Sequence, residues 1–159
     1  MAKSTFVYVT YIRTTPQRLW SALTEDSEFM RQYWFGVHCE SRWQAGSPWK
    51  MIYPDGSVVD AGEILEADPP RRLVIRWRNQ WNAEFHAEGD SLCVMELEPA
   101  GASVKLSITH SMEREGSKFI GAVSGGWPKI LSNLKSLIES GAVALQDIDA
   151  GKTPRAGAQ

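Results

Sequence analysis

The sequence predicts an α+β domain in which a seven-stranded antiparallel sheet wraps around one long C-terminal helix, with two short helices between strands one and two. Three observations carry this expectation. Residues 118–141 place Ile120, Val123, Trp127, Ile130, Leu131, Leu134, Leu137 and Ile138 at three-and-four spacing, which lines one stripe of an α-helix. Upstream, short runs of alternating apolar and polar residues are separated by tight Gly, Pro and Asp turns, the pattern of antiparallel strands. No helical period interrupts the chain between the second strand and the last. A helix laid across the concave face of an antiparallel sheet buries both apolar surfaces, and a gap between the two layers makes a pocket.

The first strand is read over residues 5–14, with Phe6, Tyr8, Thr10 and Ile12 on one face and Val7, Val9, Tyr11 and Arg13 on the other. Thr15 and Pro16 then form an N-cap followed by a first-turn proline, and Leu19, Trp20 and Leu23 give the buried stripe of a short helix. A second short helix fits residues 26–33, with Phe29, Met30 and Tyr33 inward. Strands are expected over 34–43, 49–53 (Trp49, Met51 and Tyr53 alternating), 58–67 and 72–78, where Leu73, Ile75 and Trp77 oppose Val74, Arg76 and Arg78. Residues 79–90 are polar and weakly patterned and read as a loop. Residues 92–98 and 103–110 form a last hairpin with Met95, Leu97, Val104, Leu106 and Ile108 inward.

The long helix is unusual in its first half. Gly121, Gly125 and Gly126 each weaken a helix by up to ~1 kcal/mol relative to Ala, and Pro128 removes a ladder hydrogen bond. Residues 118–140 are read as one helix bent near Ser124, ahead of the alternative of a loop reaching Gly126 with Pro128 in the first turn of a shorter helix. Lys129, Ser132, Asn133, Lys135, Ser136 and Glu139 make its solvent face. The glycines are expected to open room beside the sheet, with Trp127 over the opening; the plainer account is close helix–sheet packing.

A chain of 159 residues, 43% hydrophobic and 23% charged, holds one core. The reading is a single domain over residues 1–142 and a flexible tail over 143–159, where periodicity ends. A formal charge of −2 without a Lys/Arg cluster argues against nucleic acid or an acidic membrane surface. No run is long and apolar enough to span a membrane, and the N-terminus lacks the apolar core of a signal peptide, so a cytoplasmic location is expected. In such a compartment Cys39 and Cys93 are expected as free thiols.

The blocks TTPQRLWSALTEDSEFMRQYWFG, AGSPWKM, DAGEILEADPPRRLVIRW, MELEPAGASVKLSITH and GWPKILSNLKSLIESG resemble, in order, the domain shared with the activator of heat-shock-protein-90 ATPase, a family of the START-like (helix-grip, SRPBCC) superfamily. The similarity covers about residues 5–141. It implies the same sheet gripping the C-terminal helix around a cavity for a hydrophobic ligand, and a stress-response setting with a chaperone or a second copy of the chain as a further partner. Fold-level likeness does not by itself transfer chemistry. The eukaryotic co-chaperone has an additional chaperone-binding domain, for which this chain has no room.

Short motifs point to no reaction. His38, His86 and His110 are not at metal-ligand spacing, so no metal is expected, and neither a phosphate loop nor a dinucleotide fingerprint is present, so no cofactor is expected. His110 shares a strand face with Leu106 and Ile108 and could act as an acid or base; a histidine satisfied at a strand end is the favoured reading. Among Asp60, Glu63 and Glu66, one carboxylate could enter the pocket with a raised pKa. Ser57, Ser91 and Ser124 lie in no nucleophile elbow, although SGG at 124–126 faintly suggests a helix-start anion site. Seven tryptophans, large flat rings with a polar N–H, suit a site that accepts another molecule. The expected lining is Trp34, Trp49, Met51, Tyr53, Ile75, Trp77, Met95, Ile108, His110, Phe119, Val123 and Trp127. The sequence therefore reads as a binding module for a hydrophobic or aromatic small molecule rather than an enzyme, with no catalytic residue assigned. A cyclase- or dehydratase-like enzyme using the same cavity and a chaperone-interacting domain are the alternatives.

Overall fold

The structure is a computed structural model that describes residues 3–146. Eleven elements follow in chain order among them: β1 (Ser4–Ile12), α1 (Pro16–Leu23), α2 (Ser27–Tyr33), β2 (His38–Ser41), β3 (Pro48–Ile52), β4 (Val58–Asp68), β5 (Arg72–Asn79), α3 (Ala83–Glu88), β6 (Ser91–Ala100), β7 (Ser103–Met112) and α4 (Lys118–Ser140). The strands form one seven-stranded antiparallel sheet in the order β1-β7-β6-β5-β4-β3-β2. The two short helices fill the gap between the opposite edge strands β1 and β2, so the chain crosses the sheet once and then meanders back.

Local chemistry accounts for the boundaries. Thr15 Oγ1 accepts the Arg18 N–H and Pro16 opens α1, while Asp26 Oδ1 accepts the Phe29 N–H to start α2. β1 alternates as expected, with Val7, Val9 and Tyr11 on its exposed face and Phe6 and Tyr8 half-buried. On β7 the inward set Val104, Leu106, Ile108 and His110 is fully buried. α4 is one continuous helix with Pro128 inside it, capped by Ser117, whose Oγ accepts the Ile120 N–H, and ended by Gly141 at φ 84°. Phe119, Ile120, Trp127, Ile130, Leu131, Leu134 and Leu137 are its buried residues together with Asn133.

The structure departs from the sequence reading in six places. β2 spans only His38–Ser41, because Phe35, Gly36 and Trp43 take positive φ (53°, 84° and 56°) and the chain cannot stay extended there. Trp34 therefore enters the core from the end of α2. The expected loop at 79–90 contains α3, too short to show a period but held by Asn82, whose side chain accepts the Glu84 and Phe85 N–H groups. The last hairpin is tighter than expected, since Ala100 pairs with Ser103 across Gly101 at φ 64°. Asn133, expected on the solvent face of α4, is fully buried. Its Nδ2 donates to the carbonyls of Leu145 and Tyr33 and its Oδ1 accepts the Leu145 N–H, which ties residues 143–146 to α4. The rest of the expected tail, 147–159, lies outside the described residues. Finally, Gly121 and Gly125 are exposed, and a Cβ at either would meet nothing within 4 Å, so these two glycines open no room against the sheet.

Candidate functional site

Three cross-strand rows on the helix-covered face build the floor. Cys39, Met51, Asp60 and Asn79 align across β2, β3, β4 and β5. Trp49, Gly62, Trp77 and Ser91 align across β3 to β6, and Ile75, Cys93 and His110 continue from β5 to β7. Gly62 is required in the middle row: a Cβ there would stand 1.7 Å from the Arg76 carbonyl oxygen. With no side chain between them, the rings of Trp49 and Trp77 meet across β4 at a centroid distance of 4.4 Å.

α4 completes the roof. Trp127 lies 6.0 Å from Trp77, 6.3 Å from His110 and 5.5 Å from Trp34, and Phe119 lies 5.5 Å from His110. Six of the expected lining residues, Trp34, Trp49, Trp77, His110, Phe119 and Trp127, thus form one chain of ring contacts. Met51, Ile75, Met95 and Ile108 are buried on the sheet. Val123 is only half-buried on α4, and Tyr53 packs on Trp81 at 5.0 Å, apart from the ring cluster. Trp49 and Trp77 are 1% and 3% exposed, yet neither indole N–H finds an acceptor within the protein. The Trp77 N–H lies beside the Asp60 carboxyl and the Trp49 N–H beside the Cys39 thiol, without reaching hydrogen-bond geometry.

The polar groups among these rings are constrained. The Trp127 indole N–H donates to His110 Nδ1 at 3.2 Å. An indole nitrogen can only donate, so the single proton of the neutral imidazole sits on Nε2, which donates to Ser91 Oγ at 2.8 Å. The Ser91 hydroxyl donates in turn to the Trp77 carbonyl at 3.2 Å. Burial pushes the His110 pKa down to about 3. The pair looks like a nucleophile and base but has the reverse polarity, because Ser91 accepts from the imidazole and is not deprotonated by it. Sequence motifs missed this pairing, which joins residues 19 apart on adjacent strands.

Asp60 is 4% exposed, and burial raises its pKa to about 8, opposed by the Asn79 amide it accepts from and by the nearby Trp77 N–H. Asn79 Nδ2 donates to Asp60 Oδ1 at 2.8 Å, while Asn79 Oδ1 is occupied by the Trp81 and Asn82 N–H groups. Glu63 and Glu66 instead face outward, paired with Arg76 and Arg72. Burial pushes both the Cys39 and the Cys93 thiols up, which keeps them protonated and unreactive. The SGG segment lies inside α4. The anion position at the start of that helix is filled by Glu88, which accepts from Ser117 Oγ at 2.7 Å and from the Lys118 and Phe119 N–H groups at 2.9 and 3.2 Å.

Comparison with known proteins agrees with this architecture. No curated protein matches the chain. Among solved structures, protein MLL2253 from Mesorhizobium loti is 22% identical with a TM-score of 0.72, over 86% of this chain and 97% of that one. An Aha1 from Colwellia psychrerythraea, solved as a dimer, is 18% identical with a TM-score of 0.69, over 87% of this chain and 98% of that one. An HSP90 activator from Plasmodium falciparum is 20% identical with a TM-score of 0.67, over 84% and 94% of the two chains. These likenesses concern the fold. The family model described as Activator of Hsp90 ATPase homolog 1-like protein matches residues 13–139, and the chain belongs to that family.

Proposed function

We propose that this protein binds a small apolar, ring-bearing molecule between the aromatic rows of the sheet and the first half of α4, in the cytoplasm and without a catalytic step. One observation carries the reading: the rings of Trp34, Trp49, Trp77 and His110, from the end of α2 and from β3, β5 and β7, cluster with Phe119 and Trp127 on the stretch of α4 least suited to rigidity. That stretch holds Gly121, Gly125, Gly126 and Pro128, and its Ala122, Val123 and Gly126 are only half-buried. A helix weakened there can lift to admit a ligand while its second half stays anchored by Ile130, Leu134 and Leu137. A cyclase- or dehydratase-like reaction is disfavoured, since both nitrogens of His110 are engaged inside the protein.

Nile red titrated into the protein should bind about one to one and quench tryptophan emission, and native mass spectrometry should show one adduct per chain. Dye emission unchanged from buffer, with no adduct, would sink the reading. A second role, docking on a chaperone or a second copy, is supported by the outer face of edge strand β1, where Val7, Val9 and Tyr11 are 57%, 45% and 53% exposed.

A further inference from the structure

Buried N–H donors without acceptors are rare in proteins, because each one loses its hydrogen bonds to water and gains nothing in return. Here two occur on touching rings, and both are aimed at the same cross-strand row: Trp77 toward Asp60, Trp49 toward Cys39. Both approach that row without meeting hydrogen-bond geometry there. Cys39 and Met51 offer only sulfur, a weak acceptor, and the Asn79 carbonyl oxygen is taken by two backbone N–H groups. The Asp60 carboxyl already receives the Asn79 amide at Oδ1 and stands outside hydrogen-bond geometry with the Trp77 N–H. The result is a buried corner with two unpaired donors at the edge of the aromatic cluster.

We infer that the Trp49 and Trp77 indole N–H groups form a hydrogen-bond-donor subsite, and that the molecule bound among the aromatic rings presents to it a carbonyl-type oxygen acceptor, as an aryl ketone does. This rests on the ligand-binding reading above and specifies its chemistry. The rings select a flat apolar body by contact area, and the donors select the oxygen, because a ligand without it leaves both N–H groups unsatisfied. A carboxylate is disfavoured, since Lys and Arg side chains contribute nothing to the three rows.

The rigid pair 1-indanone and indane, which differ in one carbonyl, separates the claims. Binding is followed through the indole N–H resonances in proton–nitrogen correlation spectra of the unmodified protein. 1-Indanone is expected to bind about tenfold or more tighter than indane. It should move two indole resonances, assigned by Trp49→Phe and Trp77→Phe, while that of Trp127, already bonded to His110, moves little. Each of those variants should remove most of the preference of 1-indanone over indane, a ratio in which the contact area lost with the smaller ring cancels between the two probes, and the resonance shifts give the answer independently should a variant fold poorly. Equal affinity of the two probes with unmoved indole resonances would overturn the donor subsite while leaving apolar binding intact. Indole N–H groups that show stable contacts to internal water, undisturbed by bound 1-indanone, would overturn it as well. Failure of both probes to bind would overturn the ligand-binding reading itself, and the subsite with it.

Discussion

Asp60 and His110 each store a pH dependence of opposite sign. The folded pKa of Asp60, about 8, lies above the ordinary carboxylate value, so the folded state holds a proton that the unfolded chain releases above about pH 4. Stability from this group is whole below about pH 4 and is lost as pH rises toward 8. The folded pKa of His110, about 3, lies below its ordinary value, so its contribution is whole above about pH 6.5 and is lost as pH falls toward 3. The two effects offset each other between about pH 4 and 6.5 and leave a plateau with a falling limb on each side. Asp60→Asn should flatten the alkaline limb, which in the parent amounts to roughly 1–2 kcal/mol between about pH 6.5 and 8. Urea midpoints measured across that window decide it, and equal slopes in parent and variant would show that Asp60 is already ionised at neutral pH. Residue identity hinted at this: Asp60 was a candidate from the alternation of β4, but its burial depends on Asn79 and Trp77, which arrive from another strand.

At the scale of elements, the start of α4 is joined to the end of α3 by Glu88. Burial alone would raise the Glu88 carboxyl, but the Ser117 hydroxyl and the Lys118 and Phe119 N–H groups outweigh it and hold it below its ordinary value. Phe85 against Phe119, at 5.7 Å, adds the apolar half of the same joint. Glu88→Ala should cost about 1–2 kcal/mol, the range of a lost cap. It should also speed amide hydrogen exchange at residues 120–127 while leaving 130–138 protected. Uniform acceleration along the whole helix would mean that α4 opens as one unit and that its first half is not a separate lid. The joint was not legible beforehand, since six residues of α3 show no period and Glu88 lies 29 positions from Ser117.

For the molecule as a whole, the core is shared among the sheet, α1, α2, Phe85 of α3 and both halves of α4, with Leu134 fully buried in it. Leu134→Ala should destabilise by ~2–5 kcal/mol, a large part of a domain's total, and lower the thermal midpoint accordingly. A midpoint within a degree or two of the parent would place that helix face elsewhere. By itself the sequence determined the α+β class, the succession of seven strands, the two short helices after the first of them, the continuity of α4 and most of the stripe it buries. These are properties of periodicity and turn chemistry, which act between near neighbours. Only the tertiary structure decided that Trp34 enters from a helix end, that Asn133 turns inward to hold Leu145, and that Gly121 and Gly125 face away from the sheet. It also decided that His110 accepts from Trp127 and donates to Ser91, which removes it as a base, and that Trp49 and Trp77 meet across Gly62 with unpaired N–H groups. Each of these depends on contacts between elements far apart in the chain, and for the strand residues Trp49, Trp77, Ser91 and His110 a register shift of one residue would turn the side chains to the opposite face.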